Sequence, residues 1–157
     1  MKIVLLGKGA SGKDLLRKRL EKRGVKYGVS YTTRSPRPGE VDGVDYFYIT
    51  REDFLKKIEE NYFVEYQEFN GWYYGLGREE FDRCELQILN VEGLEMLSEA
   101  DRAQCFVIYL DIDRETRVER LKNRNDSNDS IERRINADDE QFIGFDDFDV
   151  RIMNSNF

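Results

Sequence analysis

Lys2-Ile3-Val4-Leu5-Leu6-Gly7-Lys8-Gly9-Ala10-Ser11-Gly12-Lys13-Asp14 opens the chain, and its reading decides the fold. Residues 2–6 are a short, mostly apolar run rich in branched side chains, which predicts a buried strand. Residues 12–23 predict a helix: Leu16 and Leu20 lie four apart on one face, and Gly24 is placed to end it. The loop between them fits G-x-x-x-x-G-K. Strand, loop and helix in that order make the pattern a phosphate loop rather than a bare glycine turn. The glycines let the backbone of Gly7, Gly9, Ala10, Ser11 and Gly12 turn its amides inward around phosphate oxygens, and the helix N-terminus adds its dipole. Lys13 is placed to reach the β- and γ-phosphates of a bound ATP.

One slot departs from the pattern. The position after the lysine usually carries a Ser or Thr hydroxyl that binds Mg²⁺, and here it is Asp14. A carboxylate is still a hard oxygen ligand, so Asp14 is the candidate ligand for Mg²⁺ arriving with ATP. Its charge also predicts weaker nucleotide binding when the metal is absent.

Outward from the loop, strands are predicted at residues 25–31, 46–49, 63–69, 86–91, 105–110 and 150–153. Helices are predicted at 51–61, 94–100, 114–123 and 130–141. Phe54, Leu55 and Ile58 are expected to point inward from the helix at 51–61. In the strand at 63–69, Phe63, Glu65, Gln67 and Phe69 alternate with Val64, Tyr66 and Glu68. Strands alternating with helices predict an α/β protein of the P-loop NTPase fold, a parallel sheet core flanked by helices. Residues 34–45 hold both prolines together with Gly39 and Gly43 and read as loop. The aromatic stretch from about residue 30 to 75 reads as an insertion into the sheet core.

Composition narrows the chemistry. A chain of 157 residues suits one domain with a real core. No apolar run approaches the roughly 20 residues that span a bilayer, so no membrane partner is expected. The first residues run straight into the glycine loop and read as a strand, not a signal peptide. The net charge of −7 argues against a nucleic-acid partner. Local basic stretches at 13–26 and 114–134 suit small phosphorylated ligands, or serve only as solvated helix faces. There is no histidine, which removes Ser-His and Cys-His catalysis and every histidine metal site. Cys84 and Cys105 lack metal-like spacing and read as reduced core positions of a cytoplasmic protein. Lys, Arg, carboxylates, hydroxyls and backbone amides remain, which is the set phosphoryl transfer uses.

A second cationic site stands in Ser30-Tyr31-Thr32-Thr33-Arg34-Ser35-Pro36-Arg37-Pro38-Gly39-Glu40-Val41-Asp42-Gly43-Val44-Asp45-Tyr46-Phe47. Arg34 and Arg37, three apart and pinned by two prolines, form a clamp whose guanidinium forks match phosphate, with Ser30 and Tyr46 hydroxyls beside it. Two arginines alone would fit a solvated surface loop equally well. The full string is more specific: it closely resembles the GMP-binding signature of guanylate kinases. The resemblance runs on through Glu65, Gly71-Trp72-Tyr73-Tyr74-Gly75, residues 86–93, Arg120, Arg124, Ile131-Glu132-Arg133-Arg134 and Ile152-Met153-Asn154, nearly the whole chain in the family's order.

The resemblance implies transfer of a phosphoryl group from ATP to GMP. It implies that Arg34, Arg37, Tyr46 and Tyr74 hold the GMP phosphate, with Asn90 also on the GMP side. Ser30 and Glu65 would face guanine, a carboxylate being able to accept from both its N1–H and its 2-amino group. Lys13, Arg34, Arg124 and Arg134 would be catalytic, the last two as lid arginines that Arg120 joins, and Asn154 would lie near adenine. It further implies a core of residues 1–29, 77–116 and 138–157, a mixed GMP-binding insertion at 30–76 and a small helical lid at 117–137.

Departures from the family pattern keep two rivals open. Leu76 stands where a hydroxyl residue usually faces guanine, and Ile88 where an aspartate is usual; Asp14 would then supply the lost carboxylate. The sequence stops just after the last strand, where most family members continue into a closing helix. One rival is a kinase-like module without turnover that binds GMP or a phosphorylated peptide through Arg34, Arg37 and Tyr46. The other is a kinase for dGMP or another nucleoside monophosphate.

Overall fold

A computed structural model describes residues 1–124 and 130–157. Residues 125–129, inside the range expected for the lid, lie outside the described residues.

The opening run forms β1 (Lys2–Gly7), and Val4, Leu5 and Leu6 are fully buried. It lies inside a parallel sheet between β6 (Leu86–Ile88) and β7 (Cys105–Leu110), with β8 (Val150–Ile152) beyond β7. A strand buried on both faces explains the unbroken apolar run. Val4 and Leu6 pack with Leu76, Phe81, Leu94, Val107, Tyr109 and Phe142 in the main core. Helices flank the sheet: α1 (Lys13–Glu21), α3 (Arg78–Arg83), α4 (Val91–Met96), α5 (Glu99–Arg102), α6 (Arg114–Lys122) and α7 (Ile131–Gln141). Both cysteines are buried and free.

The insertion builds its own mixed sheet in the order β3 (Phe47–Tyr48), β2 (Tyr31–Thr32), β5 (Trp72–Gly77) and β4 (Phe63–Phe69), with α2 (Arg51–Glu59) beside it. Four expectations change here. The strand expected at 25–31 is reduced to Tyr31–Thr32, with one isolated bridge from Tyr27 to Leu86. Residues 72–77 and 78–83 form a strand and a short helix that local patterning did not single out. The helix expected at 94–100 is two helices broken at Leu97, and Ser98 caps the second by accepting from Asp101 N at 3.1 Å. Leu55 is exposed, because a helix turns about 100° per residue and Phe54 already takes the inward direction.

The alternation expected for β4 is also interrupted. A bulge shifts the register between Phe63 and Glu65. Phe63 therefore stacks on Phe54, 4.6 Å between ring centroids, on the face that carries Tyr73. Glu65 and Gln67 pair with Leu76 and Tyr74 and belong to the opposite face. The extra residue re-aims the rest of the strand.

Candidate active site

The loop after β1 is held open by its own backbone. Helices α2, α4, α5, α6 and α7 each begin on a side chain that caps their first turn. Helix α1 begins at Gly12, whose φ of 98° is left-handed, with no side-chain cap. Its first amides are thus left for an anion, and glycine is the residue that adopts this conformation without steric cost. Ala10 anchors the loop by packing with Leu121 of α6 and Ile135 of α7. Arg120 adds a hydrogen bond to Ala10 O at 3.0 Å and another to Ser155 O at 3.1 Å.

A cavity of about 450 Å³ lies in front of this loop. It is lined by Gly7, Gly9, Ala10, Ser11, Gly12, Lys13 and Asp14 on one side and by Ser30, Arg37, Tyr46, Glu65, Tyr74 and Asn90 on the other. Arg120, Arg124 and Arg134 line it as well. Most residues singled out in the sequence, drawn from the chain between Gly7 and Gln141, are thus neighbours around one space.

Lys13 faces the cavity and donates to Gly7 O at 2.5 Å and Lys8 O at 3.1 Å. Burial lowers its pKa to about 8; Asp138 and Asp14 oppose that shift, while Arg124 and Arg37 add to it. The ammonium is therefore short of negative partners, a condition that a polyphosphate would relieve. The Asp14 carboxylate is mostly exposed and lies 3.4 Å from Arg17 Nε. Among the described residues no three acidic or cysteine side chains are grouped to hold a metal ion. One exposed carboxylate at the cavity fits Mg²⁺ that takes its remaining oxygens from a nucleotide and water.

The acceptor side is built by the β4–β5 pair. Glu65 is 2% exposed, and burial raises its pKa to about 8, offset in part by the backbone of Leu76. Its Oε2 has no hydrogen-bond partner among the described residues, and the same is true of Gln67 Oε1. Buried polar atoms are normally satisfied, so two orphans beside one cavity mark a place for a ligand. Gly93 allows this arrangement, since a Cβ there would stand 2.5 Å from Glu65 Oε2. Asn90 spends its Oδ1 capping α4, accepting from Gly93 N at 2.8 Å, which leaves its amide NH₂ for the cavity. Burial raises the pKa of Tyr46 and of Tyr74, so both hydroxyls stay protonated and can donate.

Two predicted residues stand apart from the lining. Arg34 is 2% exposed and its guanidinium is held by Glu40 through bonds of 2.8 and 3.1 Å, with Tyr46 beneath it. Burial works against its charge, but Glu40 more than offsets this and its pKa is raised. Arg37 lines the cavity and its backbone N donates to the same Glu40 at 2.6 Å. Asn154 is exposed and its Oδ1 accepts from Asn156 N at 2.9 Å.

Sequence reasoning missed Gln67, Asp138 and Gln141, which also line the cavity. Spacing carried a signal for two of them. Gln67 is two residues from Glu65 on one strand, and Asp138 is four from Arg134 on one helix.

Fold and cavity together place the chain among P-loop nucleoside-monophosphate kinases. Comparison with known proteins narrows the class. The guanylate kinase family model matches residues 1–157. A guanylate kinase of Trichormus variabilis is 34% identical over 164 residues, covering 99% of this chain and 82% of the relative. One from Syntrophus aciditrophicus is 34% identical over 160 residues, covering 97% and 77%. In structure, guanylate kinase from Anaplasma phagocytophilum matches with a TM-score of 0.70 at 23% identity, over 98% of this chain and 76% of that one. The chain belongs to the guanylate kinase family.

Proposed function

We propose that this enzyme transfers the γ-phosphoryl group of ATP to GMP, forming ADP and GDP by direct in-line displacement. The observation that carries the reading is the single cavity with Lys13 on one wall and Glu65, Arg37, Tyr46 and Tyr74 on another. Family membership supports nucleotides as the substrates.

In this reading the amides of Gly7, Gly9, Ala10, Ser11 and Gly12 hold the ATP phosphates, and Lys13 follows the charge that develops on the transferring group. Arg124 and Arg134 spread that charge further. Arg37 and the hydroxyls of Tyr46 and Tyr74 hold the GMP phosphate. Glu65 and Ser30 face guanine, and the Asn90 amide completes that side. Arg34, paired with Glu40, acts by fixing the loop that carries Arg37, a positioning role in place of direct phosphate contact. Mg²⁺ at Asp14 would neutralise phosphate charge when bound. Asn154 as an adenine contact rests on the family resemblance alone.

We also propose that residues 30–76 act as a GMP-binding unit and 117–137 as a lid, against a core of the remaining residues. Among the described residues no helix is long and apolar enough to cross a membrane. The cytoplasm, where ATP and GMP are at hand, is the compartment this reading assigns.

The test is ADP formation from Mg-ATP with GMP, dGMP, IMP, AMP, CMP and UMP offered in turn. GMP is expected to give the highest kcat/KM. GMP binding without ADP formation would replace the kinase with a binding module, and a different preferred acceptor would replace the base assignment.

A further inference from the structure

The phosphate loop already meets an anion from its own chain. Gly9 N donates to Asp138 Oδ2 at 2.8 Å. Asp138 is 6% exposed, lines the cavity and is the largest attractive charge acting on Lys13. A Cβ built on Gly9 would stand 2.7 Å from the same oxygen, so the carboxylate lies directly against the loop backbone.

Helix α7 fixes it there. Ile135 packs against Ala10, and Asp139 accepts from Lys8 Nζ at 2.9 Å and from Arg117 Nη2 at 3.2 Å. The helix is thus fastened to the loop on both sides of the Asp138 contact. Arg134, one turn earlier, brings a cation to the same cavity.

We propose that Asp138 is a further residue of the nucleotide site, occupying the Gly9 amide in place of a phosphate oxygen, so that ATP binds only by displacing it. The inference rests on reading the loop as the ATP phosphate site. One N–H cannot be shared linearly by a carboxylate and a phosphate, and two anions at that distance repel each other. Asp138 therefore limits affinity for ATP, and its release frees one of the fastenings of α7.

The experiment is calorimetric titration of Mg-ATP, without GMP, into wild type, Asp138→Ala, Asp138→Asn and Asp139→Asn. Asp138→Ala is expected to bind about tenfold more tightly or better, through loss of a like charge at contact distance. Asp138→Asn keeps an acceptor but loses the charge and falls between. Asp139→Asn removes the same charge one residue away without touching Gly9, and gives a smaller shift. Thermal unfolding identifies variants that fold, and Asp138→Asn carries the test should the alanine variant fail. Unchanged or weaker binding by a folded Asp138 variant overturns the proposal; weaker binding would make Asp138 a ligand of the metal or nucleotide. Failure of wild type and every variant to bind ATP would instead remove the phosphate-loop reading, and the proposal with it.

Discussion

The two walls of the cavity handle their polar groups in opposite ways. On the loop side, Lys13 donates to Gly7 O and Lys8 O and the Gly9 amide donates to Asp138. On the acceptor side, Glu65 Oε2 and Gln67 Oε1 are buried with no partner among the described residues. Burial also drives the two key charges toward neutrality from opposite directions, Lys13 down to about 8 and Glu65 up to about 8. The difference teaches where ligand must compete and where it only completes. A phosphate has to replace contacts the loop already makes. In the proposed reading a base enters beside buried acceptors that have no partner among the described residues.

Breaking the loop side should have the larger effect. Lys13→Ala is expected to lower kcat by about a hundredfold to a thousandfold, the usual loss when one charge-stabilising donor is removed. GMP affinity should stay near wild type, because Lys13 lies on the other wall. Steady-state ADP formation gives the first quantity. Quenching of Trp72, the chain's one tryptophan and a lining residue, gives the second. A comparable loss of GMP binding would show that the walls do not act separately.

The acceptor side is sharpened by pH. Glu65 is mostly protonated at pH 7 with a pKa of about 8, and guanine's N–H donors need the carboxylate. GMP binding should therefore release a proton, and affinity should rise as pH increases from 6 towards 9. Lys13 is about half neutral at pH 8, and phosphate favours its charged form. ATP binding should take up a proton and weaken as pH rises through 8. Calorimetry in two buffers of different ionisation enthalpy reads both signs. Glu65→Gln should abolish the proton release and weaken GMP binding by about tenfold to a hundredfold, the worth of hydrogen bonds to a charged group.

Leu76 gives the smallest effect on binding. It is fully buried, pairs with Glu65 across the strands and packs in the main core with Val4 and Leu6. Leu76→Ser should raise GMP affinity by no more than about fivefold, the value of one neutral hydrogen bond. It should lower stability by about 2–4 kcal/mol through the cavity it leaves. Denaturant unfolding and GMP titration of the same variant measure both. A stability loss without any gain in affinity would show that position 76 does not reach the base.

Local patterning made the first strand, the loop and α1 legible, because an apolar run, a glycine spacing and a helical period all act within a few residues. The β4 register was not legible: the bulge at residues 63–65 depends on pairing with β5, a partner that alternation within β4 cannot report. The split at Leu97 was also hidden, since the cap that restarts the helix comes from Ser98 and its bond to Asp101 N.

By itself the sequence determined the α/β class and the phosphate loop with Lys13 through residue type and spacing; it offered Arg34, Arg37 and Tyr46 as a second site through a proline-pinned cationic loop, and Glu65 and Tyr74 only through the family resemblance. Tertiary structure alone decided that Arg37 lines the cavity while Arg34 is spent on Glu40. It also decided that Asp138, 129 residues from Gly9 along the chain, lies against the phosphate loop. Both outcomes are contacts between charges brought together by packing. Charge interactions depend on separation in space and on burial, and a linear sequence gives neither.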